Sequence, residues 1–106
     1  MKIIAIPIFK SRVSVRLDCA EYIHLVTIEK DKIKSRETVR LVSTNPLEKI
    51  KVLIQLNPDV LICGGLTEYC SNRLKQTDIQ IIPWIQGDIE EILSLYLKSK
   101  LKKDNN

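Results

Sequence analysis

Aromatic side chains are scarce in this chain of 106 residues, at 5% of the total, and its apolar mass is mostly Ile, Leu and Val. A composition of 44% hydrophobic and 28% charged residues fills one core at this length and leaves no room for a second domain. Nothing in the sequence approaches the roughly 20 apolar residues of a membrane span. The N-terminal run MKIIAIPIFK is too short for a signal segment, contains Pro7 and lacks a small-residue cleavage site after it. It reads as a strand, and the chain reads as cytoplasmic. A dense basic face is also missing: the net charge is only +4, with acids interspersed among the bases, which argues against a nucleic-acid partner. The most basic stretch, KSKLKKDNN, reads as a helix C-terminus whose lysines complement the dipole, then a frayed tail over residues 103–106. Residues 1–102 form the expected single domain. No phosphate-cradling G-x-x-x-x-G-K-[ST] loop is present. The three cysteines are an odd number, which in a reducing compartment points to thiols or ligands rather than a bridge.

What is present is an ordered string of elements. Residues 2–9 are nearly all apolar and suit a central strand covered on both faces. A short, doubtful strand follows within 11–17, interrupted by Arg12 and Arg16. Residues 21–29 carry β-formers, Lys30-Asp31 makes a turn, and residues 33–42 form a charged strand suited to a sheet edge. Asn45, Pro46 and Glu48 supply an N-cap, an N1 proline and an N3 acid for a helix that Pro58 ends. Residues 59–63 read as a buried strand, Thr67 as the cap of a polar helix, and residues 79–84 as another short strand. Asp88 opens a last helix with apolar positions at Ile89, Ile92, Leu93, Tyr96, Leu97 and Leu101. Helical crossovers require parallel strands. The order predicts an α/β fold with a ribonuclease H-like motif: a five-stranded mixed sheet, three antiparallel strands then two parallel ones, with helices on both faces. In such sheets ligands bind beyond the carboxyl ends of the strands. Cys63-Gly64-Gly65, the stretch Trp84 to Gly87 and the loop over 10–18 all fall at that edge.

Taken in order, MKIIAIPI at the start, RVSVRLDCA at 12–20, DVLICGGL at 59–66 and IIPWIQGDIEEIL at 81–93 resemble the dinitrogenase iron–molybdenum cofactor biosynthesis family. That family comprises NifX-like proteins and the C-terminal domain of NifB, and the resemblance runs along nearly the whole chain. It implies the same fold. It also implies non-catalytic binding or carrying of an iron–sulfur or iron–molybdenum–sulfur cluster, with cluster donor or acceptor proteins as partners. One departure stands out. Many members carry Ser-x-His-Phe-Gly after the first strand, and another branch carries R-V-S-P-V-F-D. Here the loop reads R-V-S-V-R-L-D, nearest the second, without its proline and phenylalanine and with no histidine.

The candidate cofactor-binding positions are Ser14, Asp18, Cys63, Gly64, Gly65, Thr67, Trp84 and Gly87; the candidate metal ligands are Cys63, Cys70 and Cys19. Cys63 ends a buried strand, so it is a core thiol or, if it faces the edge, a ligand for a thiophilic metal. Cys70, in the first turn of a helix, is expected to be partly exposed and to favour thiolate. Cys19 would complete a three-sulfur site, although no spacing here matches a known one. Gly64 and Gly65 are either an anion-binding nest or a sharp turn. Arg12 and Arg16 would add positive charge beside an anionic cluster. His24 reads as a strand residue and Trp84 as a structural residue against the last helix, or else a cleft wall. Two other functions compete with this one. A nuclease or phosphotransferase needs carboxylates starting on the first strand, where there are none. A small-ligand or protein-interaction module that has lost cluster binding is the remaining alternative.

Overall fold

The computed structural model describes residues 1–98, and the alternation and capping signals of the sequence resolve there into six strands and three helices. In chain order they are β1 (Lys2–Phe9), β2 (Arg12–Val13), β3 (Tyr22–Glu29), β4 (Lys32–Arg40), α1 (Pro46–Gln55), β5 (Val60–Ile62), α2 (Glu68–Lys75), β6 (Gln80–Ile82) and α3 (Ile89–Leu97). The sheet runs β4-β3-β1-β5-β6. β4, β3 and β1 are antiparallel neighbours, and β5 and β6 are parallel to β1. The doubtful second strand is a two-residue return of β1, with Phe9 opposite Arg12. The expected reach of the last helix to Leu101 and the tail at 103–106 lie outside the described residues.

The strand period of two divides the core into layers. On one face Ile4, Ile6 and Ile8 of β1 join Val60 and Ile62 of β5 under Ile89, Ile92 and Leu93 of α3. On the other, Ala5 and Leu61 pack beneath Ile50 and Leu53 of α1 and Leu74 of α2. The caps are those the sequence announces. The side chains of Asn45, Thr67 and Asp88 accept from the N–H groups of Leu47, Cys70 and Glu90. β4 is the charged edge, and Arg36 on it grips Glu90 of α3 through two hydrogen bonds.

Pro7 can sit inside β1 because pairing with β5 stops at Ala5, short of the proline. Its missing N–H therefore breaks no ladder on that side. Its carbonyl instead accepts from Ser14 N–H at 2.9 Å, which folds the 11–17 loop back over the strand end.

Candidate functional site at the carboxyl rim

The loop over 11–17 is strapped across the carboxyl ends of β1 and β5. Val13 N–H donates to Gly87, Leu17 N–H to Gly65, and Gly65 N–H to the Val15 carbonyl at 2.7 Å. On the other side, Trp84 N–H donates to Gly64 and Ile85 N–H to Cys63. The Cys63–Gly65 backbone is thus bonded along both edges. A Cβ on Gly64 would run into the carbonyl oxygens of Ser14 and Val15. The glycine pair is therefore a close-packing device, and the Gly65 amide expected to serve an anion is spent on the chain's own loop.

The thiols do not gather at this rim. Cys63 is 0% and Cys70 is 1% exposed, and both belong to the core beneath α1 and α2. Cys63 points with Leu61 to that face, and burial, helped by the nearby Cys70, pushes its thiol up to about 12. The partial exposure expected of Cys70 is not found, because the apolar side of α2 turns it inward beside Leu74. Cys19 is exposed and lines a different cavity of about 430 Å³, with Phe9, Lys10 and Tyr22. Among the described residues no group of three or more His, Cys, Asp or Glu side chains is placed to hold a metal ion.

The other candidates are also committed locally. Ser14 is buried and its hydroxyl donates to the Arg16 carbonyl at 2.9 Å. Asp18 accepts two hydrogen bonds from the Arg16 guanidinium. Lys49 of α1, itself buried, donates to the Asp18 carbonyl and fixes the loop from below. Thr67 spends its hydroxyl on the α2 cap. Gly87 has a φ of 128°, a conformation that L side chains rarely adopt. His24 faces the α3 layer from β3, with Nδ1 3.2 Å from the Thr38 hydroxyl.

A cleft remains between the strapped loop and the 84–86 segment. It encloses about 280 Å³ and is lined by Arg12, Val13, Val15, Gly64, Gly65, Trp84, Ile85 and Gln86. Trp84 forms its wall rather than packing against α3: it is 56% exposed, and a Cβ on Gly65 would lie 3.1 Å from its ring. Its backbone is left-handed, with φ at 64°, which is rare and costly for a bulky residue. Strain of this kind persists where the surroundings demand a particular side-chain placement. Arg12 makes no ion pair among the described residues, unlike Arg16. Val15 and Gln86 carried no sequence signal, since an apolar and a neutral side chain in loops look like filler until the loops meet.

A family model described as dinitrogenase iron–molybdenum cofactor matches residues 1–99. The chain belongs to that family. Solved structures that superpose on it include PH0822, at a TM-score of 0.89 and 19% identity over 98% of this chain and 96% of that one. MJ0327 from Methanocaldococcus jannaschii superposes at 0.79 and 22% identity over 99% and 96%. The apo form of the orange protein from Desulfovibrio gigas does so at 0.76 and 17% identity over 97% and 92%. At such identities these likenesses establish the shared fold alone. No curated protein matches the sequence. Among the described residues no helix is long and apolar enough to cross a membrane.

Proposed function

We propose that this family member binds and carries an anionic metal–sulfur cluster, of iron–sulfur or iron–molybdenum–sulfur type, during cofactor assembly or trafficking in the cytoplasm. The single observation that carries the reading is the rim cleft, whose lining combines Arg12, which makes no ion pair among the described residues, with an exposed indole and two glycines. Cys63 and Cys70 face the core, so the guest keeps its own sulfide ligands and is held by charge and shape rather than by protein thiolates. A volume of about 280 Å³ suits a compact guest, being below the usual range for drug-sized ligands. The lining contains no carboxylate, imidazole, hydroxyl or thiol that could serve as general base or nucleophile, which supports carrying over catalysis. The strand order, three antiparallel then two parallel about a central β1, supports the ribonuclease H-like description. Donor and acceptor proteins of the cluster are the partners this role requires.

A second reading has its own support. Two of the cleft walls, Val15 and Trp84, are apolar, and no thiol or imidazole reaches the cleft. A small organic ligand or a peptide side chain would fit such walls, leaving a binding module without a cluster. Anaerobic reconstitution with iron and sulfide, with and without molybdate, separates the two. Bound metal, acid-labile sulfide and visible absorbance on folded protein support the carrier. Colourless folded protein at stoichiometric iron supports the module.

A further inference from the structure

His24 is the one histidine of the chain, and it lies where the sheet is tied to a helix. It stands on β3 between Ile6 of β1 and Thr38 of β4. Beside it Arg36 of β4 reaches across to Glu90, in the first turn of α3, and holds it by two hydrogen bonds. This clasp is the only ion pair among the described residues that joins the sheet to a helix. The ring has its Nδ1 3.2 Å from the Thr38 hydroxyl, and its buried Nε2 has no partner among the described residues. A neutral ring suits this setting, whereas an imidazolium would bury an N–H without an acceptor. Burial opposes the proton most, Arg36 opposes it next, and Glu90 favours it. Ile6 and Thr38 carry no charge, and Tyr22, two residues back along β3, stands opposite Arg40.

The start of α3 also anchors the strap that shapes the cleft. Ile89 N–H donates to the Ser11 carbonyl at 2.9 Å, Val13 N–H donates to the Gly87 carbonyl at 3.0 Å, and Arg12 pairs with Asp88 in an antiparallel bridge. Arg12 and Val13 line the cleft, and so do Trp84, Ile85 and Gln86, which run directly into this segment. The clasp and the cleft therefore share one short piece of backbone, residues 87–90.

We propose that His24 is a proton-operated release for the cleft: when its ring is charged the Arg36–Glu90 clasp opens, the first turn of α3 loosens, and the strap bonds that shape the cleft loosen with it. Two cations then compete for one carboxylate. Arg36, whose side chain is already 35% exposed, gives way to solvent. Opening the clasp lets water reach the ring, which removes the main obstacle to charging it. A guest held at neutral pH is let go in acid. As regulation of the cleft this rests on the carrier reading, but its test is read on the guest-free chain. A switch in a chain that takes up no cluster leaves it standing, and uptake without a switch supports the carrier alone.

The chain has one histidine and one tryptophan, so a pH titration from about 8 to about 5 reads both ends of the coupling. Proton NMR follows the His24 ring, Trp84 emission follows the cleft wall, and far-ultraviolet circular dichroism follows the fold. The expected result is an emission shift with the same midpoint as the ring, below 6.5, while the circular dichroism stays constant. His24→Gln should abolish the emission shift. Arg36→Met removes the repelling cation and the clasp together, so it should raise the ring midpoint and give the acid-form emission already at neutral pH. A ring that takes up no proton above about pH 5, or one that titrates while the emission stays flat, overturns the proposal. So does an emission shift that survives His24→Gln, or a ring midpoint that Arg36→Met leaves in place. Loss of circular dichroism along with the emission shift also overturns it, because the whole chain is then unfolding.

Discussion

Trp84 leans over Gly65 so closely that a Cβ there would meet the indole at 3.1 Å, while the Trp84 N–H is held by the Gly64 carbonyl at 3.0 Å. One glycine makes room for a ring and its neighbour for a loop, so the two respond differently to the same change. Gly65→Ala displaces a half-exposed side chain and should cost less than ~1 kcal/mol while shifting tryptophan emission. Gly64→Ala drives a methyl into the Ser14 and Val15 carbonyls and should cost more than about 2 kcal/mol. Urea denaturation followed by circular dichroism ranks them.

Burial orders the thiols. Of the three free cysteines, only Cys19 is exposed. Native protein should release colour from an aromatic disulfide reagent equivalent to one thiol, and denatured protein to all three. Cys63→Ala removes a buried sulfur and should lower stability by about 1 kcal/mol through the small cavity it leaves.

Acid should weaken the fold through His24. Its pKa lies below the ordinary 6.5, first because burial disfavours the imidazolium and then because Arg36 repels it, with Glu90 opposing. A lowered histidine pKa means that the unfolded chain binds the extra proton more readily. The stabilising effect is complete above 6.5 and is lost as pH falls from there towards the folded value. Among the described residues buried Nε2 has no partner, which adds to the cost of charging it. His24→Gln should flatten the melting temperature below pH 6.5 relative to the parent, as measured by calorimetry over a pH series.

The clasp between Arg36 and Glu90 is exposed on the carboxylate side, and the hydrogen bonds from Arg36 hold the Glu90 pKa below its usual 4.5. Exposed pairs of this kind contribute ~1 kcal/mol or less and are screened by salt. Arg36→Met should cost no more than that at low salt, and the difference from the parent should shrink in 1 M sodium chloride.

Much of the fold was legible because each level of the sequence agreed with the next. Asn45, Thr67 and Asp88 cap the helices they announce, and the charged run of β4 lies on the edge it suits. Of the candidate site, only the meeting of its loops at the carboxyl rim was legible. Whether Cys63 faced the rim or the core depends on strand phase at the end of β5, which one residue reverses. Cys70 looked available because the first turn of a helix is often exposed, but the loop brings that side of α2 down on the core. Trp84 gave no sign of its left-handed backbone, and Val15 meets it only through the strap from Val15 to Gly65, a long-range contact that no local pattern encodes.

The central claim is that the rim holds its guest by charge and shape, without protein sulfur. Anaerobic reconstitution with iron, sulfide and molybdate, applied to a chain carrying Cys19→Ser, Cys63→Ala and Cys70→Ala together, tests it most directly. Metal, acid-labile sulfide and visible absorbance retained by the cysteine-free protein, and lost from an Arg12→Glu variant with all its thiols intact, are the predicted result. Folded cysteine-free protein that stays colourless beside a coloured parent would contradict the account.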